Sequence, residues 1–288
     1  MFGFLNIYKP VGLTSHDVVG YLRRVTKIRQ IGHTGTLDPF AEGVLIVAIG
    51  KATRLIEYLN DDKAYIGRFC FGKSTDTYDT EGEVIEEFNI KVSEQEITSH
   101  LPKFSGEIEQ LPPIYSAKKI NGKKMYELAR SGVGIDDIEI KPSRVNIYEI
   151  KMLEFNEEEQ WADIYVECSK GTYIRSIAND LGKALDNGCY LSKLKRVQAG
   201  GMTVKNSISL DNSTLQDIEK SLINPVDLLP QKKQELNDIE YERISHGMII
   251  YNRIKSNIDE IVVLTKDNRL IAISQTTPDG LKPKKVMI

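Results

Sequence analysis

Three side chains of this 288-residue sequence form a chemically coherent set: Asp38, Tyr65 and Arg175. Asp38 is the carboxylate inside a stretch of small, polar and turn-forming residues at 31–43, bracketed by Gly32, Gly35, Pro39 and Gly43. The run 44–49 behind it is continuously apolar and reads as a buried strand. A polar loop feeding a buried strand holds a reactive side chain on a rigid support. A tight turn capped by an Asp side chain fits the same residues. Tyr65 falls in a strand-like run, and Arg175 follows Gly171-Thr172-Tyr173 at a helix start. An arginine beside a partly buried Asp favours the ionised carboxylate. A tyrosine can stack on a ring or exchange a proton near a base. Spacing alone equally allows Tyr65 to be a strand core residue and Arg175 a surface charge on a helix.

None of this chemistry asks for a metal, and no metal-ligand spacing is present. His16, His33, His100 and His246 are scattered. Cys70, Cys168 and Cys189 are far apart and lack C-x-x-C spacing, so neither a disulfide framework nor a zinc site is indicated. Cys70 and Cys168 lie in strand-like runs and read as small buried hydrophobes. Apolar content of 41% and charged content of 27% are those of a soluble globular chain. The length suits one large domain, or one plus a small appendix. A net charge of −3 argues against a protein that coats nucleic acid over its whole surface, but leaves room for a local basic groove. No apolar run is long enough for a transmembrane helix, and the first residues lack a basic start followed by an apolar signal core, so the expected location is the cytoplasm.

The elements that must position the three side chains follow from periodicity. Residues 4–8 read as a strand stopped by Lys9-Pro10-Val11-Gly12. Ser15 is a candidate N-cap for a helix to about Lys27, with Val18, Val19, Leu22 and Val25 on its apolar face. Residues 51–60 read as a helix, 63–71 as a strand and 72–79 as a polar loop. Ser93-Glu94-Gln95-Glu96 is a capping box opening a short helix. The segment 111–142 differs in composition. It is rich in Lys around Lys118, Lys119, Lys123 and Lys124, carries Tyr115 and Tyr126, and reads as a projecting insertion that contacts nucleic acid, with a short helix near Tyr126, Leu128 and Ala129. Residues 144–155 and 161–168 read as strands, followed by an amphipathic helix to about Leu185. Lys193-Leu194-Lys195-Arg196 reads as a second basic patch, and 215–222 as a helix. After Pro230 the texture changes to short strands, at 261–264, 270–273 and 285–288, which places a domain boundary near 230–236. That tail is too small to be secure alone and is expected to pack on the body.

Residues 5–15 (Leu5-Asn6-Ile7-Tyr8-Lys9-Pro10-Val11-Gly12-Leu13-Thr14-Ser15), the block Gly32-His33-Thr34-Gly35-Thr36-Leu37-Asp38-Pro39 and the block Ser169-Lys170-Gly171-Thr172-Tyr173-Ile174-Arg175-Ser176 together resemble the TruB family of tRNA pseudouridine-55 synthases. The resemblance runs in order along essentially the whole chain. It implies an α+β fold: a mixed, mainly antiparallel central sheet flanked by helices over 1–232, an RNA-gripping thumb at about 111–142, and a small β-rich PUA-like domain over 233–288. It implies isomerisation of a uridine in the T-arm of tRNA, with no cofactor, metal or energy source. Asp38 would be the catalytic nucleophile, with attack on C1′, attack on C6 and a glycal route left open. Arg175 would be its salt-bridge partner, and Tyr65 would stack on the uracil near its C5 proton. His33 would help hold the extruded loop, Tyr173 and Leu194 would line the pocket, and Lys9 and Pro10 would support the catalytic loop. The thumb lysines Lys118, Lys119, Lys123 and Lys124, with 193–196, would grip phosphates. Glu42 departs from the family pattern, where a smaller uncharged residue is expected. A non-catalytic RNA-folding protein and a guide-RNA-dependent synthase subunit are the competing expectations. The chain starts almost on the first motif and ends just past the PUA-like strands, which favours a stand-alone, monomeric enzyme needing no protein partner.

Overall fold

The computed structural model describes residues 1–116, 119–120, 123–125, 141–211, 213–251 and 257–288. The chain opens with strand β1 (Gly3–Lys9), helix α1 (Ser15–Thr26), the short β2 (Ile31–His33) and β3 (Glu42–Ile49). A 3-10 helix (Gly50–Tyr58) leads into β4 (Lys63–Phe71), and β5 (Lys73–Thr75) pairs with β6 (Val84–Glu87) as a separate ribbon. Then come α2 (Glu94–His100), β7 (Gly106–Gln110), the ribbon β8 (Lys119–Ile120) with β9 (Lys123–Lys124), β10 (Ser143–Asn156), β11 (Trp161–Cys168), α3 (Ile174–Ala184) and β12 (Cys189–Ala199). β13 (Met202–Thr203), β14 (Ile208–Ser209), α4 (Leu215–Lys220) and α5 (Pro225–Leu228) complete the body. The remainder holds β15 (Lys232–Glu235), α6 (Asp238–Ser245), β16 (Ile250–Tyr251), β17 (Ile261–Lys266), β18 (Arg269–Thr277) and β19 (Gly280–Val286).

The central sheet has strand order β14-β1-β3-β12-β4-β11-β10-β7, with β2 added to β3 and β13 to β12. Its pairings are antiparallel apart from β1–β14 and β3–β12. The class is therefore α+β with a mixed, mainly antiparallel sheet. A second, five-stranded sheet, β15-β17-β18-β19-β16, is formed by the C-terminal residues.

β3 is apolar without alternation because both of its faces are covered. Leu45, Val47 and Ile49 pack on Val18, Val19 and Leu22 of α1. Val44, Ile46 and Ala48 pack in a cluster with Val263, Leu270, Ile273 and Met287 of the C-terminal lobe, so the tail does rest on the body. β11 alternates because one of its faces is open. Ala162, Ile164, Val166 and Cys168 join the core cluster with Ile177 and Leu181 of α3, while Trp161 stacks under the Arg68 guanidinium, 3.5 Å from its ring centroid. Among the described residues no helix is long and apolar enough to cross a membrane.

Several boundaries differ from the periodicity reading. The N-cap of α1 is Thr14, whose hydroxyl accepts from the Asp17 N–H in a capping box, and Ser15 is already helical with its hydroxyl turned to the Leu37 backbone. Residues 50–58 form 3-10 turns, and the polar loop at 72–79 contains β5. The last strand runs from Gly280 to Val286, starting before the expected 285–288 and ending two residues short of it. The stretch 193–196 is the middle of β12, which lies between β3 and β4 in the sheet; Lys193 is exposed there, whereas Arg196 is buried. The short helix expected near Tyr126 lies outside the described residues.

Candidate active site

The loop carrying Asp38 is fixed from beneath by the turn after β1. Lys9 is fully buried, and its ammonium donates to the carbonyls of Pro10 (2.9 Å), Leu13 (2.6 Å) and Pro39 (3.5 Å). The Gly12 N–H donates to the Pro39 carbonyl at 2.8 Å. From α1, the Ser15 hydroxyl accepts from the Leu37 N–H at 2.9 Å. The backbone on both sides of Asp38 is thus tied down, which leaves its side chain as the free element. β3 then leaves the loop at Gly43. There φ is +109°, and a Cβ would lie 2.2 Å from the Arg196 carbonyl, so only glycine lets β3 and β12 meet.

Above this loop lies a cleft of about 630 Å³ lined by Asp38, Tyr65, Tyr173, Arg175, Leu194 and Arg196, among others. Arg175, at the start of α3, is 4% exposed. Its Nε lies 3.1 Å from Asp38 Oδ2, and its Nη1 donates to Asp79 Oδ2 at 2.9 Å and to the Thr77 carbonyl at 3.1 Å. Its Nη2 donates to the Tyr115 carbonyl at 3.0 Å. One guanidinium therefore spans two carboxylates. Asp79 is 3% exposed at its side chain, while Asp38 keeps 35%, so of the two only Asp38 is open to an incoming molecule.

Arg196 comes from β12, is 1% exposed, and donates to the carbonyls of Val44 (2.7 Å) and Gly35 (3.1 Å). The β4–β12 register sets it opposite Tyr65. Burial raises the Tyr65 phenol above its ordinary value, with Arg196 acting in the opposite direction. The phenol is therefore held as neutral O–H at neutral pH.

Arg175 favours the ionised Asp38 carboxylate, as expected, but it does not act alone. Burial raises the Asp38 carboxyl most, and the nearby Asp79 charge adds to the rise. Arg175, Lys9 and Arg196 pull it back, and the net direction is upward. Lys9 itself is lowered by burial from its ordinary 10.5 to about 8.

The structure brings Asp38, Tyr65, Arg175, Tyr173 and Leu194 to one cleft and places Lys9 and Pro10 beneath it. His33 is not among the residues lining the cleft. It ends β2 with its ring edge-on to His16 at 5.8 Å, and its Nδ1 is buried with no hydrogen-bond partner among the described residues. Burial pushes its pKa down. Lys118 lies outside the described residues, as do the side chains of Lys119, Lys123 and Lys124, whose backbone forms the β8–β9 ribbon. The Glu42 carboxylate lies 3.8 Å from Lys195 Nζ, and its charge raises the pKa of the Tyr8 phenol. Sequence reasoning missed Asp79 and Arg196. The only signals were an Asp in a polar loop and an Arg inside a run of Lys.

Residues 23–174 match the family model described as TruB family pseudouridylate synthase (N terminal domain). The chain is 40% identical over 294 residues to a tRNA pseudouridine synthase B of Clostridium novyi (strain NT), with 100% of each chain covered. It is 44% identical over 301 residues to a tRNA pseudouridine synthase B of Synechocystis sp. (strain ATCC 27184 / PCC 6803 / Kazusa), again covering 100% of each. A chain of a solved H/ACA ribonucleoprotein bound to a substrate RNA containing 2′-deoxyuridine superposes with a TM-score of 0.75 at 22% identity. That match covers 100% of this chain and 85% of the other, a likeness of fold.

Proposed function

The chain belongs to the TruB family of pseudouridylate synthases, and on that premise we propose that it isomerises a uridine of tRNA to pseudouridine, at position 55 in the T-arm. The reaction breaks the N1–C1′ bond and forms a C5–C1′ bond. The C5 proton leaves and N1 takes one up, so the atoms balance within the substrate and water. The observation that carries the reading is the cleft geometry: the accessible carboxylate of Asp38, held 3.1 Å from a buried Arg175 beside Tyr65.

In this reading Asp38 is the nucleophile and Arg175 sets its orientation and helps keep it ionised. Tyr65 enters as a neutral phenol whose ring packs against the base. Tyr173 and Leu194 give the pocket its apolar walls. Residues 1–232 act as the catalytic domain and 233–288 as a PUA-like RNA-binding domain. A base inside a stacked loop cannot reach Asp38, so it is flipped out at a cost of roughly a few kcal/mol. Contacts to RNA phosphates offset that cost, and binding therefore weakens with salt.

The test is tritium release from a C5-labelled uridine in a T-arm hairpin. Asp38→Asn is expected to bind the hairpin within severalfold of wild type while turnover falls by roughly three orders of magnitude or more. Full turnover by the Asn variant would remove Asp38 from the mechanism. Because the Asp38 pKa is raised, the ionised form is lost earlier on acidification than for an ordinary Asp, and wild-type turnover should fall accordingly.

A further inference from the structure

Five cations line the cleft: Lys63, Arg144, Lys170, Arg175 and Arg196. Arg175 and Arg196 are committed to protein acceptors, as described above. Arg144 is 74% exposed at the rim, with Glu107 and Glu109 at 3.9 and 3.6 Å, and Lys170 is exposed. Lys63 differs from all of these. Its side chain is 10% exposed, and β4 places it two residues before Tyr65, on the same face of the strand. A Cβ on Gly35 would meet Lys63 Cε at 3.2 Å and Nζ at 3.9 Å, so the lysine stem lies against the loop that carries Asp38.

The Lys63 ammonium has two acceptors among the described residues, and both belong to Asp61. It donates to the Asp61 carbonyl at 2.7 Å and to Asp61 Oδ1 at 2.7 Å. An ammonium has three N–H donors, so one is left over. The two acceptors are not alike. The carbonyl belongs to a braced turn, in which the Asp62 N–H donates to Asn60 Oδ1 (2.9 Å) and the Gly200 N–H to the Asp62 carbonyl (3.1 Å). The Tyr148 hydroxyl adds a bond to Asp62 Oδ1 at 2.9 Å. The Asp61 carboxylate, by contrast, sits on a rotatable side chain that is 42% exposed and can turn into water.

Resting on the reading that the cleft receives a flipped uridine of RNA, we propose that Lys63 binds a phosphate of the reacting nucleotide, and that the Asp61 carboxylate holds the ammonium until the phosphate displaces it. The exchange swaps one anion for another, so Lys63 is never left bare in a largely buried site. The Asp61 carbonyl keeps the ammonium in place throughout. A cation here also reduces the repulsion between the Asp38 carboxylate and the RNA backbone.

Equilibrium binding over a salt series and steady-state kinetics on a T-arm hairpin test this. Lys63→Met should weaken binding about tenfold, reduce the salt slope by about one phosphate contact and raise KM more than it lowers kcat. Lys63→Arg should keep the slope. Asp61→Asn should tighten binding severalfold, because the competing anion is gone, and should give no tightening in the Lys63→Met background. A purely structural Lys63–Asp61 pair makes the opposite forecast: both single variants weaken binding by loosening the turn. Weaker binding by Asp61→Asn therefore overturns the assignment, even if Lys63→Met folds poorly. A wild-type protein that neither binds nor isomerises the hairpin overturns the proposed function with it. A wild type that does both, with a weakened Asp61→Asn, overturns this assignment alone.

Discussion

Two cavities of nearly equal size among the described residues differ in construction. The cleft over Asp38 measures about 630 Å³, and a second cavity of about 580 Å³ lies where the C-terminal sheet meets the body. The second is walled by Phe2, Leu222, Pro225, Leu270 and Met287, with Lys266 and Arg269 at the turn beyond. Lys266 is ion-paired to Asp238, whose side chain is 93% exposed. In the cleft, by contrast, Arg175 and Arg196 are charged and almost wholly buried, and so are Lys9 and Asp79 packed behind its walls. Size does not distinguish the two. Buried charge does, because it is costly unless every group is paired, and such arrangements cluster where chemistry is done.

The comparison breaks most sharply at Arg175. Arg175→Met leaves Asp79 buried without its partner and Asp38 without its anchor. Turnover should fall by roughly three orders of magnitude, and unfolding free energy should drop by about 3–5 kcal/mol. Hairpin affinity should change far less. Tritium release, filter binding and denaturant titration separate these effects. If affinity alone fell, Arg175 would be a phosphate contact rather than the partner of Asp38.

The second cavity should respond in the reverse way. Leu270 is 4% exposed and packs with Phe4, Val44 and Ile46 across the junction of the two sheets. Leu270→Ala should cost about 2–5 kcal/mol of stability through lost burial and the enlarged void. Turnover per folded molecule should hold. A matching loss of kcat would mean that the junction positions the cleft, and the contrast between the two cavities would dissolve.

A smaller effect isolates a single buried charge. Lys9 is lowered to about 8 while an unfolded lysine titrates near 10.5, so the folded state binds fewer protons than the unfolded state between those values. Stability from this group therefore rises with pH across that window, and it has no slope below about 8, where both states are charged. Thermal melts from pH 7 to 11 should show this slope in wild type and lose it in Lys9→Met. An unchanged slope in the variant would assign it to another group.

These contrasts also show what could be read from the chain. The strand 161–168 was legible because one face is open and its residues alternate. The strand after Asp38 was legible as buried because it is apolar on both faces. Asp38, Tyr65 and Arg175 could be singled out by type, but their meeting depends on pairings between β3, β12, β4 and α3 that no local pattern encodes. Asp79 and Arg175 are 96 residues apart, so nothing in the polar loop at 72–79 announced an ion pair. Arg196 was misread for a related reason. Its neighbours Lys193 and Lys195 make a charged run, and such a run usually faces water. Here the sheet register turns Arg196 inward to two carbonyls, while Lys195 points the other way to Glu42. Tertiary context overrode composition at that position.

The least effect is expected at Glu42, the residue of the Asp38 loop whose charge looked out of place. It opens β3 four residues after Asp38, yet its carboxylate sits with Tyr8 and Lys195, whose ammonium lies 5.5 Å from the Tyr8 ring centroid. That cluster is on the face of the sheet that continues into Val44 and Ile46. The work of Glu42 is local. Burial, then the neighbouring Glu42 carboxylate, pushes the Tyr8 phenol up to about 12. Glu42→Gln should therefore lower the Tyr8 midpoint without bringing it to the ordinary value of 10, because burial persists. Turnover should change by less than a factor of about two, because Glu42 is paired with Lys195 rather than with Arg175, the partner of Asp38. Tyrosine-selective NMR over alkaline pH reads the first outcome and tritium release reads the second. A large loss of turnover would show that the two faces of β3 are coupled, and that the charge at the end of the loop does reach the carboxylate at its centre.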